Sequence, residues 1–241
     1  MAVIERGRRS LKGQANRYLG ISFFYLGLIF LYGIYVFEKV ILLTMNPWLH
    51  LLPLFWLIGL CLYFKKYKKF LAGAKGEKSL LKQLKKLPNN YYVFTNFRIK
   101  KKHCIDEIDF IVVGENGVFV LEAKNHVGRI SGNSEASHWR QEKKKYKGKI
   151  KVQAMTNPIK QTKKHMGNVA QMLTKQNFYL YICGIVVFTN PNAFITAQSK
   201  DVFMIKGCKR VNQFILSFCP RKKLETAEVA AIVQYLKSVK L

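Results

Sequence analysis

Asp109, Glu122 and Lys124 are the residues of this chain whose types and spacing can do chemistry. Five of its 13 acidic residues fall between Asp106 and Glu122, although 41 Lys plus Arg give a net charge of +28. Asp109 and Glu122 interrupt two strongly apolar runs, "IDFIVV" and "VFVLEAK", joined by "GENG", a tight-hairpin signal. Side chains alternate along a strand. Pairing across a two-residue loop, Glu115-Asn116 or Asn116-Gly117, sets Asp109 opposite Glu122 or Lys124 on one face. The other face, Phe110, Val112, Phe119, Leu121 and Ala123, is wholly apolar. A buried unpaired carboxylate is costly, and two neighbours repel. Lys124 offsets one charge. A hard divalent cation, Mg²⁺ or Mn²⁺, held by Asp109 and Glu122 would offset the other, since Mg²⁺ is held by one or two carboxylates plus water and phosphate oxygens. A buried ion-pair network without chemistry meets the same pattern, so the hairpin alone admits both readings.

The elements around the hairpin supply two further polar residues. "AKGEKSLLKQLKKL" carries Leu80, Leu84 and Leu87 at helical spacing, closed by Pro88-Asn89-Asn90, and Glu77 projects from that apolar face. "NPIKQTKKHMGNVAQMLTKQ" opens with Asn157 as N-cap and Pro158 at the first helical position, with Gln161 in the first turn. "YYVFTNFRI" and "YICGIVVFTN" read as further strands, and a last helix starts near Thr226. The order predicts an α/β sandwich around a mixed sheet. None of His103, His126, His138 and His165 has metal-ligand spacing to another His or Cys, and His126 falls nearest the Glu-x-Lys strand. Five scattered cysteines argue against a disulfide framework or a zinc site.

"GE" on the first helix, "EIDFIVVG", "GVFVLEAKN" with a following Gly-x-Ile, Trp139 and "NP..Q" together resemble the nuclease-related domain, a branch of the PD-(D/E)xK nuclease superfamily. The likeness spans Gly73 to Thr189, and Ile108 stands where the superfamily has Pro. The resemblance implies a restriction-endonuclease-like core, a mixed sheet flanked by helices. It further implies Asp109 and Glu122 as Mg²⁺ ligands, Lys124 as catalytic lysine, and Glu77 and Gln161 as the helix-borne acidic and downstream polar residues of the site.

Leu19–Phe37 is an uncharged run long enough to cross a bilayer, and a second run follows from Trp48 to Phe64. Basic residues flank the pair on both outer sides, which predicts a two-pass anchor in the cell membrane with both termini cytoplasmic. The expected organisation is a basic tail and two transmembrane helices over residues 1–70, then the nuclease-like domain over 71–241. The charge predicts a polyanionic partner. Lys far outnumbers Arg, which favours phosphate over base contacts, so nucleic acid, taken as DNA, would be held with little sequence preference. The basic run holding Lys143, Lys144, Lys145, Lys147 and Lys149 is the candidate surface for it, or for anionic lipid. A homodimer would suit double-strand cleavage. The leading expectation is a membrane-anchored, metal-dependent nuclease; the alternative is a catalytically silent nucleic-acid-binding or scaffold module on the same fold.

Overall fold

The computed structural model describes residues 1–7, 11–41, 48, 51–100, 105–144 and 148–240. Its elements in chain order are β1 (Val3–Arg6), α1 (Leu11–Ile41), α2 (Leu52–Leu84), β2 (Tyr92–Lys100), β3 (Ile105–Gly114), β4 (Gly117–Lys124), β5 (Gly128–Ser131), β6 (His138–Lys144), β7 (Ile150–Thr156), α3 (Pro158–Thr174), β8 (Ile182–Phe188), β9 (Ala193–Ile195), β10 (Val202–Lys206), α4 (Lys209–Ser217) and α5 (Thr226–Val239). The chain divides into two units, Arg9–Ala74 and Met1–Arg8 with Lys75–Leu241.

The larger unit is α/β, built on a mixed sheet of order β1-β2-β3-β4-β8-β10. Gly114 pairs with Gly117, so the β3–β4 hairpin closes over Glu115-Asn116, the first of the two registers the sequence allows. Phe110, Val112, Phe119 and Leu121 then share one face with Cys183, Ile185 and Val187 of β8, packed under Leu80 and Leu84 of α2 and Val211 and Ile215 of α4. Ile111, Val113, Val118 and Val120 form the opposite face, covered by Val169 and Leu173 of α3 and by α5. The hairpin tip is pinned from within, because the Asn116 side-chain amide donates to the carbonyls of Ile215 and Leu216.

The β2–β3 ladder is interrupted at one step. Thr95 pairs with Phe110 and Phe97 with Ile108, but no pair joins Asn96 to Asp109, and Asn96 stands at φ +49°. Strict alternation would put Phe97 and Ile108 on the face of Val93 and Val112. They pack instead with Phe94 and Ile111, so the alternation slips at Asp109. A second sheet of order β7-β6-β5-β9 holds the basic run expected as a binding surface: Lys143 and Lys144 end β6 and Lys149 precedes β7, while Lys145 and Lys147 lie outside the described residues. Trp139 and Met155 of that sheet meet Val186 and Phe188 of β8 in a third apolar cluster.

In the smaller unit α1 and α2 run antiparallel along an aromatic seam. Tyr18 stacks on Phe70 at 5.2 Å, Tyr25 on Tyr63 at 5.7 Å, and Tyr32 meets Trp56 edge-on at 6.0 Å. The partners step by seven residues in opposite directions, the repeat of a coiled-coil seam. Lys66 Nζ lies 5.1 Å from the Tyr63 ring centre. Over Leu11–Glu38, α1 is long and apolar enough to cross a membrane, and it is the one such helix among the described residues. The expected second span is therefore not shown. α2 begins at Leu52 and reaches Lys65, Lys66, Lys68 and Lys69, so its apolar part, Leu52 to Phe64, is about 20 Å long against a hydrocarbon core of about 30 Å. Of the expected run, residues 49 and 50 lie outside the described residues.

The helix of Glu77 is the far end of this same α2, not a separate element. It meets the sheet through Gly76, where a Cβ would lie 2.6 Å from Thr189 Oγ1 and 2.8 Å from Asn125 Cβ. Helix propensity alone favours Ala over Gly by about 1 kcal/mol. These contacts outweigh it, so Gly76→Ala lowers stability by about 1–3 kcal/mol, read from the midpoint of urea denaturation; an unchanged or higher midpoint contradicts the packing.

Candidate active site

Strands β3 and β4 part after the Phe110–Leu121 pair, one step short of Asp109 and Glu122. The backbone N–H of Ala123 donates to Asp109 Oδ2 at 2.8 Å, so a carboxylate takes the place of a ladder carbonyl where the strands separate. Glu122 is 2 % exposed. Its Oε1 accepts from Lys124 Nζ at 2.7 Å, and the same ammonium donates to Gln161 Oε1 at 2.9 Å. Gln161 reaches in because Asn157 caps α3, its side chain accepting from the N–H groups of Ile159 and Lys160. The Asn157 amide also donates to the carbonyls of Asn133, Ser134 and Ala136, fixing the start of the helix.

One turn beyond Gln161, the same helix brings His165 to the other side of Glu122. His165 Nδ1 stands 3.5 Å from Glu122 Oε2; both atoms are buried, and neither has a hydrogen-bond partner. Spacing analysis gave His165 no role because its partner is neither His nor Cys. The signal was its place four residues after Gln161, on the helix face that meets the sheet. His126, expected nearest the site, faces Gln141 Oε1 at 3.1 Å instead. His103 lies outside the described residues.

Electrostatics set these acids apart from ordinary carboxylates. Burial, followed by the charges of Glu122 and Glu77, holds Asp109 well above the ordinary carboxylate range, against the opposing pull of the Ala123 N–H and Lys124. Glu77 is pushed up to about 7 by burial and then by Glu107 and Glu122. Glu122 is also raised by burial, but Lys124 and His165 outweigh that and leave it below its usual value. Glu107, to which the sequence gave no role, pairs with Arg98 at 4.0 Å. Four carboxylates, Glu77, Glu107, Asp109 and Glu122, thus crowd one site, with Lys124 paired to Glu122, Arg98 to Glu107, and His165 beside Glu122.

Crowded carboxylates are a setting in which a divalent cation can be held. The donors are carboxylate oxygens, which suit a hard ion, and Glu122 Oε2 is buried without a hydrogen bond. Among the described residues no three His, Cys, Asp or Glu side chains are gathered closely enough to hold a metal by themselves. An ion between Asp109 and Glu122 would complete its shell with water and phosphate oxygens. Cys61, Cys183, Cys208 and Cys219 are free thiols.

The family model described as "nuclease-related domain" matches residues 72–189, the segment that holds Glu77, Glu107, Asp109, Glu122, Lys124, Gln161 and His165. An uncharacterized protein of Bacillus anthracis is 34 % identical over 122 residues, which is 50 % of this chain and 55 % of the relative. The chain therefore spans about half the length of that relative. No solved structure matches.

The raised Glu77 carboxyl has a pH signature. A carboxyl raised to about 7 in the folded chain from an ordinary 4.5 favours folding below its unfolded pKa, and that contribution is lost as pH climbs through 7. In the full-length protein in detergent and EDTA, stability falls from about pH 5 to pH 8. Glu77→Gln, neutral throughout, matches wild type near the lower pH and melts several degrees higher at the upper one. Equal melting curves for the two proteins at both pH values would remove Glu77 from the buried cluster.

Proposed function

Since residues 72–189 are a nuclease-related domain, we propose that the protein is a membrane-anchored, divalent-metal-dependent nuclease that hydrolyses phosphodiester bonds of DNA with little sequence specificity. The observation that carries the reading is the Lys124 ammonium clamped between Glu122 and Gln161, beside an Asp109 carboxyl that its surroundings discourage from ionising. A cation bound to Asp109 and Glu122 would supply Lewis acidity toward a phosphate oxygen and acidify bound water. Lys124, held by Glu122, directs its ammonium at the position where negative charge grows on the phosphorus oxygens. Gln161 fixes the ammonium and presents its amide group to a phosphate or to the attacking water. Glu77 faces the cluster from α2 and holds water at its edge.

The chain's connectivity supports the anchor. β1 pairs with β2 in the same unit that holds the site, Val3 beside Tyr92. Whatever leaves that unit after β1 returns to it along α2, so crossings of a bilayer between residues 9 and 74 are even in number. If α1 spans, the chain spans back, using the segment that ends at Phe64. Arg and Lys on both outer flanks support a cytoplasmic position for the nuclease-related unit.

Two measurements test these readings. Asp109→Asn and Lys124→Ala each reduce Mg²⁺- or Mn²⁺-dependent cleavage of DNA to the level seen in EDTA, with unchanged circular dichroism. Equal cleavage by wild type and Lys124→Ala would overturn the assignment, and DNA binding without cleavage would select the catalytically silent module. For topology, a reporter active only in the cytoplasm works when fused after Leu241 and is silent when fused after residue 45. Activity at both fusions would exclude the two-pass anchor.

A further inference from the structure

Strands β4, β8 and β10 are mutually parallel, and their carboxyl ends form one rim of the main sheet. Along that rim Lys124 of β4 pairs in register with Phe188 of β8, which pairs in register with Lys206 of β10. Neighbouring strands lie about 4.8 Å apart, so the backbone of Lys206 stands about 10 Å from that of Lys124 in the same row. Ligands of open α/β sheets bind outside the carboxyl ends of parallel strands.

Just beyond Lys206 the chain turns at Gly207, at φ +82°, whose N–H donates to the Phe188 carbonyl. The turn brings Lys206, Lys209 and Arg210 to one cavity of about 650 Å³, closed on its other side by Ser79 and Gln83 of α2 and by Thr189. None of the three cations has an ion-pair partner among the described residues. Thr189 Oγ1 is buried without a hydrogen bond. Thr189 joins this cavity to the candidate active site, since its N–H donates to the Lys124 carbonyl at 3.0 Å. Gly76, next to Glu77, abuts its hydroxyl.

We propose that this basic cavity is a second backbone-binding site, holding phosphates of the same nucleic-acid strand two or three nucleotides from the bond placed at Lys124. The inference rests on the nuclease reading and extends it, moving the main phosphate contacts from the lysines of the second sheet to the rim of the first. A separation of about 10 Å lies within the span of a few phosphates of one strand, whose axial rise alone is ~3.4 Å each. Lysines and an arginine without carboxylate partners make sequence-independent contacts, and each neutralised phosphate adds about 0.9 to the salt dependence of binding.

The test uses the full-length protein in detergent and EDTA, with a labelled DNA duplex titrated over a range of salt. The variant K206Q/K209Q/R210Q is compared with a charge-matched control, K200Q/R221Q/K223Q. Arg221 and Lys223 lie at the opposite end of the sheet, because the adjoining Leu224 N–H bonds Glu115 in the β3–β4 turn. The rim variant is expected to bind DNA at least tenfold more weakly, with its log–log salt slope lowered by about 2–3, while the control changes less than twofold. Equal losses in the two variants, or none in the rim variant, overturn the inference but leave the nuclease reading intact. Loss of binding to anionic lipid vesicles without loss of DNA binding also overturns it, by assigning the cavity to lipid headgroups. Wild type that binds no DNA at low salt overturns both.

Discussion

Two carboxylates at the fork between β3 and β4 cannot both be charged in a buried place without something positive to answer them. Lys124 answers Glu122 at 2.7 Å, and the Ala123 N–H answers Asp109 at 2.8 Å. Both responses depend on the strands separating after Phe110 and Leu121. A continued ladder would leave Ala123 nothing to offer a side chain. The slip in alternation at Asp109 is the backbone side of the same event: Phe97 and Ile108 change faces so that a polar group can sit in the gap without an apolar neighbour filling it. Three helices then serve the fork. α2 brings Glu77, α3 brings Gln161 and His165, and α4 holds the hairpin tip through Asn116.

Much of this was legible from residue types. A two-residue loop fixes a hairpin register, and the register fixes which side chains share a face, so the apolar set of Phe110, Val112, Phe119 and Leu121 followed directly. Asn157-Pro158 announced the start of α3, because the cap is local chemistry. Glu77 stood out as a carboxylate on an apolar helical face, and the structure places it among other carboxylates. In each case the determinant lies within a few residues of its effect.

What stayed illegible depends on distant partners. His165 acquires its meaning from Glu122, 43 positions earlier, through a contact at 3.5 Å that no spacing rule encodes. β1 is four residues of ordinary composition, and only its pairing with β2 makes it a strand. The basic run near Lys143 read as a binding surface and not as a strand, because charge masked the alternation of β6, in which Trp139 and Gln141 turn inward while Arg140 stays out. The unbroken course of α2 was hidden by a change in composition at its middle, where apolar residues give way to lysines without any residue that breaks a helix. Lys206 is one lysine among many until two parallel ladders put it in the row of Lys124.

The pairing of β1 with β2 also sets an order for biosynthesis. Val3 leaves the ribosome first, yet its partner Tyr92 follows 89 residues later (92 minus 3). At typical elongation rates that delay is on the order of 5–20 s, during which the whole intervening apolar segment is made and must find its lodging. Until then β1 is a strand without a partner, the feature through which sheets join to wrong neighbours. The earliest strand of the main sheet thus waits for its partner, and their pairing ties both ends of the segment between residues 9 and 74 to one unit.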